Sequence, residues 1–189
     1  MIPSQTTAIS EKPLAEVAVE GELSPFEDEK IYRILKEKFR VQHPVYSHSD
    51  NEEVASKVDI TFYQEYSTSF FTVQFQDGWR DLKELLKEIR HRRGNAGAGY
   101  TLTFKDSERR IVFESGVLEE GEFRSSVDQI SYLTSIMGQM LRPSAMEKPL
   151  STVQTSFDKK SDRWTWFRGI TQTNEGYVFD EQVFRWVKL

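Results

Sequence analysis

The sequence predicts an α+β fold, on three observations. The apolar period changes repeatedly between helical and extended, turn residues punctuate the changes, and thirteen Phe, seven Tyr and four Trp supply enough large side chains for a core. A length of 189 residues suits one compact domain with extensions. Fibrous, collagen-like and wholly disordered chains are excluded by the 38% hydrophobic content and only ten Gly.

Residues 1–23 hold Pro3, Pro13 and scattered Ser, Thr and Glu, and are expected to form a flexible acidic tail ahead of one α+β domain over 24–189. Ser24, Pro25 and Glu27 then supply an N-cap, a proline at the first helical position and the far side of a capping box. Ile31, Ile34, Leu35 and Phe39 follow at helical spacing, so a helix is predicted over 25–39, and a loop over 41–53. Val58, Ile60 and Phe62 alternate with polar partners as a strand over 57–64. Residues 70–75 place Phe71, Val73 and Phe75 on one face of a second strand, with a turn at Ser67, Thr68 and Ser69.

Asp77 caps a helix whose Trp79, Leu82, Leu85, Leu86 and Ile89 form one stripe, ending in Arg90, His91, Arg92 and Arg93 before Gly94. A hairpin is predicted over 100–105 and 109–114, a long amphipathic helix over 123–141 stopped by Pro143, and strands over 150–157, 163–172 and 177–188. From residue 69 the order is βαββαβ. That order predicts a ferredoxin-like sandwich, with the first helix and the strand at 57–64 added before it and a C-terminal β-hairpin extending the antiparallel sheet. Fold alone assigns no function.

With no cysteine, disulfides, thiolate nucleophiles and Cys-bound metals are excluded. The first residues lack the basic start and apolar run of a secretory signal, and no window of about 18 apolar residues occurs. A cytoplasmic protein without a membrane partner is expected. The net charge of −5 resides in residues 1–60, with 12 acids and 7 bases, whereas residues 158–189 carry 5 and 6. No polyanion partner follows from charge alone.

Chemistry-bearing patterns are sparse. His43 and His48 lie near Asp50, Glu52 and Glu53 without a ligand spacing, so no metal and no cofactor is expected. Glu119, Glu120 and Glu122 precede a helix and suit its dipole, and Asp180 and Glu181 would point to opposite faces of a strand, so neither group forms a catalytic pair. An enzyme is not expected, and any active site would be built from scattered residues. Arg90, Arg92 and Arg93, followed by the glycine-rich 94–99, offer a weak anion-binding site for nucleic acid or a phosphorylated ligand, with Arg109 and Arg110 as further donors. The segment follows a helix C-terminus, the wrong end of the dipole for an anion.

The positive lead is aromatic. Trp164, Trp166, Phe167, Tyr177, Phe179, Phe184 and Trp186 fall within 23 positions. Strand alternation pairs Trp164 with Trp166 and Phe184 with Trp186, so at least one pair is expected outside the core as a partner-binding surface. An accessory or regulatory protein working by protein contact or self-association is the expectation.

Overall fold

A computed structural model describes residues 11–47 and 54–189, with the side chains of 43–47 left out. The chain forms an α+β fold around one nine-stranded sheet in the order β2-β1-β3-β4-β5-β6-β7-β8-β9. The strands are β1 (Leu14–Glu20), β2 (Arg40–Ser47), β3 (Ser56–Tyr63), β4 (Ala98–Lys105), β5 (Arg110–Glu114), β6 (Leu150–Asp158), β7 (Arg163–Thr171), β8 (Gly176–Asp180) and β9 (Arg185–Lys188). The α-helices among the described residues are α1 (Pro25–Lys36), α2 (Gln76–Arg93) and α3 (Glu120–Met140).

Three crossover units build most of the sheet. β1-α1-β2, β3-α2-β4 and β5-α3-β6 each return to a parallel strand hydrogen-bonded directly to the one they left. In a ferredoxin-like sandwich the crossover is split by a third strand. Here the parallel partners are adjacent and the sheet is mixed, so the strand order differs from the expected sandwich. β6 to β9 then run as an antiparallel meander.

Several segments depart from the sequence reading. Leu14–Glu20, expected in the tail, is an interior strand, because Ala15, Val17 and Val19 alternate with Glu16, Ala18 and Glu20 and are fully buried. Arg40–Ser47, expected as loop, pairs with β1 as an edge strand. Residues 70–75 form no strand: Phe70–Gln74 is a π-helical turn closed by Phe75 N–H donating to the Phe70 carbonyl at 2.8 Å. That turn buries Phe70, Phe71 and Phe75 together and leaves Val73 in solvent, which an extended segment could not do. The predicted strand at 177–188 is two strands, β8 and β9, joined by a turn.

The capping box at α1 is present as read, with Glu27 N–H donating to Ser24 Oγ at 3.2 Å and Ser24 N–H to Glu27 Oε2 at 2.8 Å. Glu119 and Glu122 form a second one at α3. Apolar stripes of the helices, among them Ile31, Leu35, Leu82, Leu86, Val127 and Ile130, pack on Val17, Ile60, Leu102, Phe113 and Val153 of the sheet. The opposite face is largely polar. One cross-strand row there runs Glu16, Thr61, Thr103, Val112, Gln154, Arg168.

Candidate contact surface

The surface is created by two departures from regular strand geometry. In β7 the register against β6 shifts between Gln154 and Ser156, so that Trp166 and Phe167 together face Thr155. The bulge holds Trp166 at φ +56°. Alternation is broken there, and Trp164 and Trp166 no longer share a face. Trp164 is 6% exposed, lies edge-on to Phe157 at 5.7 Å and donates from Nε1 to the Ser126 carbonyl of α3 at 3.0 Å, whereas Trp166 is 61% exposed.

The second departure is the turn between β8 and β9. Asp180 Oδ1 accepts from the backbone of Gln182 at 2.8 Å and Val183 at 3.3 Å, and Phe184 enters β9 at φ +53°. Phe184 is 42% exposed, while Trp186 is 5% exposed and donates from Nε1 to the Met140 carbonyl at 2.8 Å. Each predicted pair is therefore divided: Trp164 and Trp186 are core, and Trp166 and Phe184 are surface. The expected pairwise faces are corrected by the bulge and the turn.

A bulky residue at positive φ is strained by about 1 to 3 kcal/mol and persists only when its surroundings hold it. Glu175 accepts from Lys148 and Lys188, each at 2.6 Å, and these two lysines pull its carboxyl down to about 2. Among the described residues, six of eleven exposed large apolar side chains fall in the last 24 positions: Trp166, Ile170, Val183, Phe184, Val187 and Leu189. That concentration is not what scattered surface hydrophobics produce.

Two depressions flank the meander. On the helix side a trough of about 510 Å³ lies between α3 and β7-β8, with Tyr132 and Ile136 on one wall and Phe167, Phe179 and Phe184 on the other. A shallower hollow of about 440 Å³ lies around Trp166, Thr165 and Val178. Arg163, Phe167, Phe179 and Glu181 line both, making one continuous surface. Thr165 Oγ1 is buried there without a hydrogen-bond partner.

The arginines expected to present an anion site are engaged elsewhere. Arg90 is buried and donates to the Leu118 carbonyl at 2.6 Å and the Gly94 carbonyl at 2.8 Å. Arg92 grips Glu27 with two hydrogen bonds, Nε to Oε1 at 2.7 Å, and Arg93 reaches Glu22 at 3.0 Å and the Val54 carbonyl at 2.7 Å. Burial pushes the Glu27 carboxyl up, but the bonds from Arg92 and the Ser24 cap outweigh it and hold it below the usual carboxylate range. The segment thus fastens α2 to α1 and to the chain ahead of α3. Arg109 donates from Nε to the Leu150 carbonyl at 3.2 Å.

His91 Nδ1 lies 3.0 Å from Glu120 Oε1. The grouping of His43 and His48 with Asp50, Glu52 and Glu53 lies outside the described residues and side chains. No cluster of three or more His, Asp or Glu suited to a metal occurs among the described residues, and none of their helices is long and apolar enough to cross a membrane. Comparison with protein-family models, curated proteins and solved structures gave no significant match.

Proposed function

We propose that the chain is a non-enzymatic accessory or regulatory protein that works by protein contact, with the β7-β9 meander as its contact surface. The observation that supports this reading is the concentration of exposed apolar residues there, led by two aromatics held in left-handed backbone. Strain at an exposed Trp and an exposed Phe gives the isolated chain no benefit, and backbone strain of this kind gathers where binding uses it. Aromatic anchors are the usual centre of an interface.

The double variant Trp166→Ser/Phe184→Ser tests the proposal. It should melt within a few degrees of the parent and lose capture of its partner in pull-downs from the cells that make the protein. A folded double variant with undiminished capture would contradict the reading.

A further inference from the structure

The sheet ends in two edge strands, and they are not guarded alike. β2 carries Pro44, which has no N–H to donate, and a register shift that sets His43 and Pro44 against the single residue Val17. Proline and irregular pairing keep an edge from adding strands. β9 has neither device. Its pairing with β8 is regular from Arg185 to Lys188, and no strand pairs with its other side among the described residues. Ladder alternation identifies the open groups. Leu189 N–H donates to the Gly176 carbonyl at 3.0 Å, so the backbones of Arg185, Val187 and Leu189 point to β8, and the N–H and C=O of Trp186 and Lys188 point away from it. The Trp186 ring turns toward the helices. Val187 and Leu189, 44% and 79% exposed, stand on the opposite face, where Val178 is the cross-strand neighbour of Val187.

We infer that β9 pairs antiparallel with β9 of a second copy of this chain, about a two-fold axis through Val187, so that one sheet runs through a dimer. The inference goes beyond the contact reading above, since it uses backbone groups at the sheet edge and not the exposed aromatics. With Val187 opposite the second copy's Val187, Trp186 and Lys188 of each chain face Lys188 and Trp186 of the other, and their open N–H and C=O groups are all used. Val178, Val187 and their two counterparts then make an unbroken row of β-branched side chains across the axis.

Charge selects this register. No like charges meet, because Arg185 faces the second copy's Leu189 and Lys188 faces its Trp186. A shift of two residues in one direction sets Lys188 against Lys188, which repels. The opposite shift draws in Phe184, whose φ of +53° lies outside strand geometry. Pairing of β9 with β2 of another copy is head to tail and does not close, and Pro44 interrupts its ladder. Strands this short bury little surface, so the dimer is weak and is populated at roughly 100 μM protein.

The chain has no cysteine, so disulfide trapping tests the pairing directly. Antiparallel neighbours that share no hydrogen bond, as the two Val187 residues do here, lie about 4.5 Å apart at Cα, within disulfide reach. Under mild oxidation of the full chain, Val187→Cys should form a covalent dimer at least tenfold faster than Val73→Cys, an exposed site elsewhere that reports random collision. Arg185→Cys alone should stay at the collision rate, and mixed with Leu189→Cys it should exceed that rate. In sedimentation the parent should show a monomer–dimer equilibrium that Val187→Lys, a change at an exposed position, abolishes and Trp166→Ser leaves unaltered. A parent that stays monomeric at that concentration, as it does if the edge serves a foreign strand, overturns the inference. So does Val187→Cys trapped no faster than Val73→Cys, or Arg185→Cys trapped as fast as Val187→Cys. Partner capture by Trp166→Ser/Phe184→Ser is a separate readout, so either proposal can fail while the other stands.

Discussion

From Leu14 to Asp158 each crossover carries a helix across its strand pair, and most of the large apolar residues turn inward, with Phe26, Tyr32, Val54, Val73 and Tyr132 the exposed ones. From Arg163 to Leu189 the sheet continues without an α-helix of its own, and apolar residues emerge on both sides. The strands of the second region are much richer in aromatics, with Trp164, Trp166, Phe167, Tyr177, Phe179 and Trp186 in β7 to β9. The regions also differ in what backs them and in how strictly alternation is kept. β1 and β3 alternate without interruption, so one face is core and the other polar. β7 carries a bulge and β8-β9 a tight turn, and each sends one aromatic into the core and its neighbour into solvent. Within the meander, adjacent aromatics therefore have opposite expected effects.

The largest effect is expected from the core members. Trp164→Ser or Trp186→Ser removes a buried ring and strands the Ser126 or Met140 carbonyl that its indole nitrogen serves, a loss of roughly 3 to 5 kcal/mol. Thermal melts should show these variants unfolded or severely destabilised, while Trp166→Ser and Phe184→Ser stay near the parent. Equal destabilisation of all four would erase the distinction between the inner and outer aromatics.

In the helix-backed region, Arg92→Ala leaves the buried Glu27 carboxylate without its partner and should cost about 2 to 3 kcal/mol, or roughly 5 to 10 °C in Tm. The pH dependence follows from the depressed Glu27 pKa: the contribution is fully present above the unfolded-state value and is lost as pH falls through the folded one. The parent and Arg92→Ala should therefore converge in Tm on acidification, measured by calorimetry from neutral pH downward. A gap that persists at low pH would place the effect elsewhere.

A smaller effect, of opposite sign, is expected at the bulge. Glycine adopts φ +56° without strain, so Trp166→Gly should hold or raise stability by up to about 1 kcal/mol while weakening partner contact. The smallest change belongs to Asp59 on the polar face, whose carboxyl is pushed up by burial, partly countered by its hydrogen bond with Thr101. Its raised pKa means stability is lost as pH rises through the folded value, so Asp59→Asn should raise Tm by no more than about 2 °C at neutral pH and by nothing in acid. Denaturant titration at both pH values checks it.

The helices were legible because each signal is local: Ser24 and Glu27 are three residues apart, and the stripes of α2 and α3 repeat every three or four positions. β1 was obscured because its short alternation lies between Pro13 and a glutamate-rich stretch, and its burial depends on β2 and β3. Element order likewise does not reveal whether the parallel strands of a crossover are adjacent or split. At the candidate surface the aromatic excess was visible, but the bulge that divides Trp164 from Trp166 carries no glycine to announce it. The fate of Arg90, Arg92 and Arg93 was hidden for another reason. Arg92 finds Glu27 65 residues away and Arg93 finds Glu22 71 residues away, distances over which no local pattern speaks.

Site-directed photo-crosslinking compares the two regions at a single atom position each. A photoreactive phenylalanine analogue at position 166, in the meander, is set against the same analogue at position 73, where Val73 is at least as exposed but lies on the π-helical turn of the helix-backed region. In the cells that make the protein, position 166 should yield a discrete crosslinked species of higher mass and position 73 should yield none. Crosslinks of equal yield at both positions, or none at 166, would contradict the assignment of the meander as the contact surface.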